Sequence, residues 1–276
     1  MQKLLIDGYC VYPNVLNEME IASALSVVND VQNNSANKYT IFTSSEELVG
    51  IYNAKMISTI LNSLIESPSL HKNIQETHIS INPFAQAGVP YSTRERPVHI
   101  DGAGVDLDKN GVQLNDGILP HSFTILCGVA LTDQSDVSKG CLEVLPGSHR
   151  VISRFFREQM DLNSAAIIGP GHGLWPAGVH VPPPIVDLEP ALINSFREEK
   201  LTPILMNAGD LLICNYHLAH RRGYNMSTSD RVNLYWRVDS AECAAKKAAR
   251  VSDFLGDDCS GFSQPIKQLK KRIFVG

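Results

Sequence analysis

Two residues with metal-binding side chains stand two positions apart in the stretch RPVHIDGAGVD at 96–106. Because side chains alternate along an extended strand, His99 and Asp101 point to the same side. Gly102 and Gly104 then let the backbone turn without filling the space beside this pair. The pair could be the polar end of an ordinary strand, or it could supply two of the three ligands of a metal ion.

A second group of polar residues lies far downstream, in GDLLICNYHLAHRRGYNMSTSDRVNLYWRVD at 209–239. His217 and His220 come at or beyond the end of one predicted strand, and Arg231 opens the next. Two histidines and one carboxylate on one face of an ion leave three coordination positions open, as is typical of non-haem Fe(II) oxygenases. The planar guanidinium of Arg231 could hold a carboxylate of a cosubstrate that binds the same ion. One of the two histidines would complete the metal site of the upstream pair.

The elements that must position these residues differ between the two parts of the chain. Apolar residues recur at helical spacing over 17–34 and 55–67, which predicts two helices in the first 75 residues. Short runs bounded by Gly, Pro, Asp or Asn predict strands at 7–16, 77–84, 122–133, 140–149, 209–217 and 231–239. Strands that are short and not interleaved with regular helices favour an antiparallel barrel or sandwich.

The 276 residues are predicted to form a single domain. Its parts are a helical N-terminal part at 1–75, a barrel at 76–239 and a helical C-terminal tail at 240–276. A Gly- and Pro-rich insertion at 161–195 interrupts the barrel, and long insertions of this kind often form lids or pocket walls.

Composition narrows the classes of function. A net charge of −5 provides no basic field for nucleic acid or an anionic membrane. Six scattered cysteines without a CxxC pair argue against a zinc-thiolate site and a disulfide scaffold, and they favour a reducing compartment. No apolar run approaches the ~20 residues of a membrane span. We therefore expect a cytoplasmic protein that has neither nucleic acid nor a membrane as a partner.

Taken in order, these motifs resemble the phytanoyl-CoA dioxygenase family of Fe(II)/2-oxoglutarate oxygenases. The matching stretches are DGYCVYPNVL near the start, VHID at 98–101, KGCLEVLPGSHR at 139–150, GDLLICNYHLAH at 209–220, and Arg231. They are spread over residues 7–239, and GCLEVLPGSH is the most distinctive of them. The resemblance implies a double-stranded β-helix, a cupin-like jelly-roll barrel with helices packed on one side.

The resemblance also implies a set of iron ligands, namely His99, Asp101 and His220. His220 is preferred to His217 because its spacing to Arg231 fits the pattern of the family. Arg231 would then bind the C5 carboxylate of 2-oxoglutarate.

Further cosubstrate contacts are expected from Asn233, on the same strand face as Arg231, and from Thr124, on a barrel strand. One position departs from the family. Some members have a glutamine between the first two ligands, where this chain has Ile100, so any contact made by that glutamine must come from elsewhere. His149, within PGSHR, is interpreted as a structural residue in a turn at the barrel edge.

The implied function is an Fe(II)/2-oxoglutarate-dependent dioxygenase that hydroxylates a small molecule in natural-product biosynthesis, using O2 and releasing succinate and CO2. Asp101 favours hydroxylation, since halogenating relatives have Ala or Gly at that position. Two alternatives stay open. One is a cupin-like metal oxygenase or isomerase that does not use 2-oxoglutarate, against which Arg231 argues. The other is a non-catalytic binding barrel, against which the intact set of ligands argues.

Arginines at 94, 96, 221 and 222 flank the expected ligands. They predict either the binding of an anionic substrate or ion pairs at the surface with Glu95 and other acids. Whether the chain forms a homo-oligomer stays open.

Overall fold

The computed structural model describes residues 1–66, 77–84, 98, 123–163, 201–248 and 257–274. Its helices are α1 (Gln2–Asp7), α2 (Glu18–Asn34), α3 (Glu46–Tyr52), α4 (Lys55–Leu64), α5 (Ser148–Asn163), α6 (Ala241–Ala248) and α7 (Gln264–Phe274). Its strands are β1 (Tyr9–Tyr12), β2 (Thr40–Thr43), β3 (Thr77–Asn82), β4 (Ile125–Ala130), β5 (Leu142–Val144), β6 (Thr202–Ile204), β7 (Leu211–Asn215), β8 (His220–Arg222) and β9 (Arg231–Val238).

The strands form two antiparallel sheets. One has six strands in the order β1-β7-β4-β9-β3-β2, and the other has three in the order β6-β5-β8. Strands from both ends of the chain are neighbours in the larger sheet, as the connections of a jelly roll require. The predicted fold class, a mainly β double-stranded β-helix with flanking helices, is confirmed.

Strand β9 shows how the sequence separates the two faces of the larger sheet. Val232, Leu234 and Trp236 pack into an apolar cluster with residues of α3 and α4, so this face is covered by helices. Tyr235, on the other face, belongs to a second cluster that includes Leu142 of β5 and residues of β6. Since side chains alternate along a strand, Arg231 and Asn233 also face the space between the two sheets.

The N-terminal part supplies most of the helical layer. The predicted helix at 17–34 is α2, whose N-cap Asn17 and Glu20 form a capping box, and the predicted helix at 55–67 is α4. The part at 1–75 is not purely helical, because β1 and β2 join the larger sheet. The pattern at 7–16 predicted β1, whereas β2 has no clear signal in the sequence.

The PGSHR stretch contains the predicted turn, at Pro146 and Gly147, and then continues into a helix that was not predicted. Strand β5 ends at Val144, Gly147 has a φ of 81°, and α5 begins at Ser148. The Ser148 hydroxyl accepts a hydrogen bond from the Ala219 amide at 2.9 Å. The start of α5 is thereby tied to the residue that precedes His220.

Helix α5 runs into the predicted insertion as far as Asn163, and residues 164–195 of that insertion lie outside the described residues. Among the helices that the structure describes, none is long and apolar enough to cross a membrane.

Candidate active site

Arg231 is a buried cation at the first position of β9. It stands opposite Asn82 of β3, and only 3% of its surface is exposed. Its Nη2 donates to the Ser80 hydroxyl at 3.4 Å, while Nε and Nη1 have no hydrogen-bond partner in the part of the chain that the structure describes. Burying a charge with unused donors is costly unless an anion pairs with it. Two donor atoms of this guanidinium are therefore available to an anionic ligand.

A second guanidinium meets the same hydroxyl from the smaller sheet. Arg222, the last residue of β8, donates from Nη2 to the Ser80 hydroxyl at 3.2 Å and from Nη1 to the Ile81 carbonyl at 3.2 Å. Ser80 and Ile81 lie on β3, so these bonds join the larger sheet to the smaller one. Two positive groups thus converge on one buried oxygen between the sheets.

The backbone around this pair is fixed by two asparagines. The amide of Asn82 donates to the carbonyls of Gly140 and Gly223 at 3.2 and 2.9 Å. The amide of Asn225 donates in turn to the Asn82 carbonyl at 2.8 Å. Gly140 has a φ of 70°, and a Cβ there would lie 2.5 Å from the Asn82 amide nitrogen. Only glycine allows this close approach, which holds the end of β3 beside Arg231.

His220, the predicted metal ligand, opens β8 opposite Val144. Its Nδ1 donates to the Leu218 carbonyl at 2.8 Å, so in the neutral ring Nε2 carries the lone pair that a metal ion needs. Arg222 follows two positions later. Both side chains therefore lie on one face of the strand, about 7 Å apart along it.

His217, the alternative ligand, has a different environment. It is buried, its Nδ1 is 2.7 Å from the Ser153 hydroxyl of α5, and its amide donates to the Asn215 side chain. Burial lowers the pKa of His217 well below its ordinary value. These contacts tie His217 to α5 and to the end of β7, and His220 as the metal ligand stays a prediction.

The structure brings Asn233 to the same face as Arg231. Its Oδ1 accepts from the Gln134 amide at 2.6 Å, and its Nδ2 donates to the Tyr235 hydroxyl at 2.8 Å. Asn233 is fully buried, and these two bonds fix the direction of its side chain. One N–H of this amide remains for a ligand beside Arg231.

Thr124, the other predicted cosubstrate contact, is not brought to Arg231. Its amide donates to the Val238 carbonyl, and its hydroxyl accepts from the Ser240 amide at 2.8 Å. It therefore lies at the far end of β9, roughly 25 Å from Arg231 at about 3.3 Å per residue. Its described contacts belong to that end of the barrel, and a contact of Thr124 with the cosubstrate stays a prediction.

His99 and Asp101 lie outside the described residues, as do the arginines at 94 and 96. Val98 is described, and it packs against a small cluster formed by Leu145, Ile152 and Ala219. Ala219 is the residue before His220. Within the described residues no group of three metal-binding side chains occurs, and the predicted triad includes two residues beyond them.

The two of the four flanking arginines that are described, Arg221 and Arg222, differ in their contacts. Arg221 points away from Arg222 on β8, and its Nε donates to the Glu143 carboxylate at 2.6 Å, as the ion-pair interpretation predicts.

Ser80 was not predicted as a site residue, although the sequence of β3 contains a signal for it. Polar His78, Ser80 and Asn82 alternate with isoleucines along β3, which is the pattern of a strand with one polar inner face.

Comparison with known proteins decides the family. The family model of phytanoyl-CoA dioxygenase (PhyH) matches residues 6–233. The chain belongs to the phytanoyl-CoA dioxygenase family. Members of this family use Fe(II) and 2-oxoglutarate, for which the donor set of Arg231 and His220 is suited. No curated protein sequence matches the chain.

Solved structures share the fold at low identity. The non-heme alpha ketoglutarate dependent carbocyclase SnoK from nogalamycin biosynthesis is 16% identical, with 91% of this chain and 89% of SnoK covered at a TM-score of 0.50. HygX from Streptomyces hygroscopicus, with nickel and 2-oxoglutarate bound, is 15% identical, with 84% and 83% covered at 0.49. The likeness to SnoK shows that the two chains have the same fold.

Proposed function

We propose that this phytanoyl-CoA dioxygenase family member is an Fe(II)/2-oxoglutarate-dependent oxygenase that hydroxylates a small molecule. It would use O2 and release succinate and CO2. The observation that carries the proposal is the buried guanidinium of Arg231, two of whose donor atoms have no partner among the described residues. A cupin-like enzyme that did not use a keto-diacid would have no need of this costly buried cation.

The roles of the residues follow from this proposal. His99, Asp101 and His220 would hold the iron, which when bound supplies the activation of O2. Arg231 would bind the C5 carboxylate of 2-oxoglutarate through a planar fork of N–H groups. Asn233 would add a hydrogen bond from the same strand face. The bond from His220 Nδ1 to the Leu218 carbonyl keeps Nε2 in the form that binds a metal.

Two observations support convergence of the upstream ligand pair with His220. Val98 packs in the cluster that contains Ala219, and His99 is the next residue in the sequence after Val98. The Ser148 hydroxyl and the Ala219 amide fix the backbone at the other side of this contact. The two segments that carry the proposed ligands therefore meet at neighbouring residues.

A natural product is the substrate class that we propose. SnoK, which shares the fold, is a carbocyclase of nogalamycin biosynthesis, and the same ligands can serve ring closure as well as hydroxylation. We favour hydroxylation because Asp101 leaves no ligand position to a halide. The six cysteines are buried and none of them forms a disulfide, which supports a reducing compartment such as the cytoplasm.

The test combines binding and turnover. Titration of 2-oxoglutarate into Ni(II)-loaded protein without O2 should give one site, and Fe(II) with O2 should convert 2-oxoglutarate to succinate and CO2, slowly without substrate and faster with it. Absence of 2-oxoglutarate binding would support the cupin-like alternative. Binding without release of succinate across a panel of candidate natural products would support a non-catalytic barrel.

A further inference from the structure

We infer that the Tyr235 hydroxyl donates a hydrogen bond to the substrate, and that Gln134 and Asn233 fix it in this donor role. The substrate that this donor fits carries an acceptor oxygen, such as a carbonyl, close to the position that is oxidised. The inference rests on the proposed function, since it concerns the substrate of the same site. It assigns a chemical group of that substrate to a named residue of the barrel.

A chain of hydrogen bonds determines which atoms donate and which accept. Nε2 of Gln134 donates to the Thr132 carbonyl at 3.3 Å and to Oδ1 of Asn233 at 2.6 Å. A carbonyl oxygen can only accept, so the bond to Thr132 requires the NH2 group of Gln134 on this side. The same NH2 group requires the oxygen of Asn233 to face it. The orientation of both amides therefore follows from one backbone carbonyl.

Tyr235 forms the other end of this chain. Nδ2 of Asn233 donates to the tyrosine hydroxyl at 2.8 Å, and an amide NH2 group cannot accept a hydrogen bond in return. The hydroxyl proton therefore points elsewhere, and none of the residues that the structure describes accepts it. Since only 6% of Tyr235 is exposed, the acceptor that this proton needs is a bound molecule.

The free oxygen of Gln134 shows that this direction is maintained at a cost. Gln134 is fully buried, and its Oε1 has no hydrogen-bond partner within the described part of the chain. An unpartnered buried acceptor is unfavourable. In the reversed orientation Gln134 would accept from Asn233, Asn233 would accept from Tyr235, and the hydroxyl would have no proton left for a ligand. The fold adopts the orientation in which Tyr235 is a donor.

The level of Tyr235 in the barrel follows from contacts between the two sheets. Arg222 of β8 donates to the Ser80 hydroxyl of β3, and the carbonyl of Gly223 accepts from the Asn82 amide. The contacts thus advance in the same direction along both strands. Residues that come two positions before these contacts, one on each strand, therefore lie at similar levels of the barrel.

Those earlier residues are His78 on β3 and His220 on β8. His78 stands opposite Tyr235 of β9, so Tyr235 lies across the barrel from the proposed metal ligand. Arg231 precedes Tyr235 by four residues, about 13 Å along the strand. The tyrosine is therefore nearer to the proposed metal than to the anchor of the distal carboxylate, at the level where a substrate must lie to be oxidised.

The surroundings of the hydroxyl are largely apolar and aromatic. The His78 ring centroid is 6.0 Å from that of Tyr235, and the Phe42 ring stacks on His78 with centroids 4.7 Å apart. Gly128, opposite Tyr235 on the other side, adds no side chain. An apolar ring system that carries a carbonyl group fits this place better than a compound covered with hydroxyl groups.

The experiment compares ketones with the matching hydrocarbons. The probes are three pairs, namely acetophenone with ethylbenzene, cyclohexanone with cyclohexane, and 1-tetralone with tetralin. Equilibrium dialysis against protein loaded with Ni(II) and 2-oxoglutarate, without O2, gives a dissociation constant for each compound. In Tyr235→Phe the ratio of the two constants should shift against the ketone by about 3- to 10-fold in at least one pair, as for the loss of one neutral hydrogen bond.

Two further variants separate the donor role from a structural one. Gln134→Met lets the Asn233 amide reverse and accept from Tyr235, so the ratio should shift in the same direction by a smaller amount. A general loss of stability would not change this ratio, because it affects both members of a pair. Tyr9→Phe is the matched control, since Tyr9 belongs to the same apolar cluster and its ring contacts Lys3. It should leave the ratio unchanged.

The affinity for 2-oxoglutarate distinguishes a substrate contact from a cosubstrate contact. It should be nearly the same in Tyr235→Phe as in the unsubstituted protein, because Gln134 still holds the oxygen of Asn233. A large loss of 2-oxoglutarate affinity with an unchanged ketone ratio would assign the hydroxyl to the cosubstrate and overturn the inference.

Two other results would also overturn it, namely an unchanged ratio for every pair in Tyr235→Phe and failure of all three ketones to bind the unsubstituted protein. In these cases the proposed function would stand, provided that the unsubstituted protein binds 2-oxoglutarate and releases succinate. If it does neither, the proposed function and this inference fail together.

Discussion

Gly128 and Tyr235 stand opposite each other on β4 and β9, and the tyrosine ring occupies the space beside the glycine. A Cβ at position 128 would lie 2.5 Å from Cε1 of the ring, closer than any real side chain allows. The Tyr235 hydroxyl accepts from the amide of Asn233. The absence of a side chain at Gly128 therefore leaves room for the Tyr235 ring. The hydroxyl of this ring helps to orient Asn233, which lies on the same inner face as Arg231.

We expect Gly128→Ala to destabilise the protein by roughly 1–3 kcal/mol, as overpacking of a core does. The ring of Tyr235 must move to make room, which would also weaken 2-oxoglutarate binding through Asn233. Urea unfolding measures the first effect. The double variant Gly128→Ala/Tyr235→Leu should cost less than the sum of the single variants, because the smaller side chain relieves the clash. Strictly additive costs would mean that the ring is not the obstacle.

Removing the buried charge of Arg231 should stabilise the ligand-free protein and abolish the binding of 2-oxoglutarate. Arg231→Met fills a similar volume without unpaired donors, so the ligand-free protein should melt at a higher temperature. The rise in melting temperature that 2-oxoglutarate gives the Ni(II)-loaded protein should disappear, since that rise reflects binding to the folded state. Arg237→Gln on the same strand face is the matched control and should keep the rise. A ligand-dependent rise that survives in Arg231→Met would contradict the assignment of Arg231.

Substitution of His220 and substitution of His217 should have different effects on the protein. His220→Ala and Asp101→Ala should each abolish metal binding and turnover while leaving the melting temperature of the metal-free protein nearly unchanged. His217→Ala should instead lower the melting temperature, because it removes a buried ring bonded to Ser153. Metal content after dialysis against Fe(II) or Ni(II), together with thermal unfolding, distinguishes the two. Retention of a full equivalent of metal by His220→Ala would remove it from the ligand set.

Lowering the pH should destabilise the fold through His149. Burial lowers the pKa of His149 from 6.5 to about 4, and its Nε2 donates to the Leu5 carbonyl at 3.2 Å. The unfolded chain takes up a proton below about 6.5, and the folded chain does so only near 4. This contribution to stability is therefore complete above pH 6.5 and decreases as the pH falls towards 4, by up to roughly 3 kcal/mol.

Urea unfolding at a series of pH values between about 7 and 4.5 measures this dependence. His149→Gln should flatten the slope in part, because buried His217 has a pKa that is lowered in the same direction. An unchanged slope in His149→Gln would show that other groups carry the acid sensitivity.

The sequence predicted the outer face of the barrel and its helices better than it predicted the inner face. The helical spacing in α2 and the alternation in β9 depend on the burial of apolar residues, which composition and period reveal directly. Arg231 was predicted from its spacing of eleven residues after His220 and from the planar fork that its guanidinium offers to a carboxylate. The helical start of α5 at Ser148 was missed because PGSHR carries turn residues, and the contact of the Ser148 hydroxyl with the Ala219 amide joins residues far apart in the sequence.

The contacts around Ser80 could not be derived from any single stretch. Ser80 and Arg222 are far apart in sequence, and they meet beside the bonds from the Asn82 amide to the carbonyls of Gly140 and Gly223. The position of Thr124 depends on the fold in a related way. The sequence indicated a barrel strand, but the strand register determined which end of the barrel this residue would occupy.

The two strands that carry the proposed site, β9 with Arg231 and β8 with His220, differ in local stability. Strand β9 has partners on both sides within the larger sheet, whereas the three residues of β8 form the edge of the smaller sheet. Amide protons around Arg231 should therefore exchange with solvent only on global unfolding, and those around His220 through smaller, more frequent openings. The distal carboxylate of 2-oxoglutarate would then bind to a preformed surface around Arg231. Binding of the metal ion would slow amide exchange in β8 and order the strand around His220.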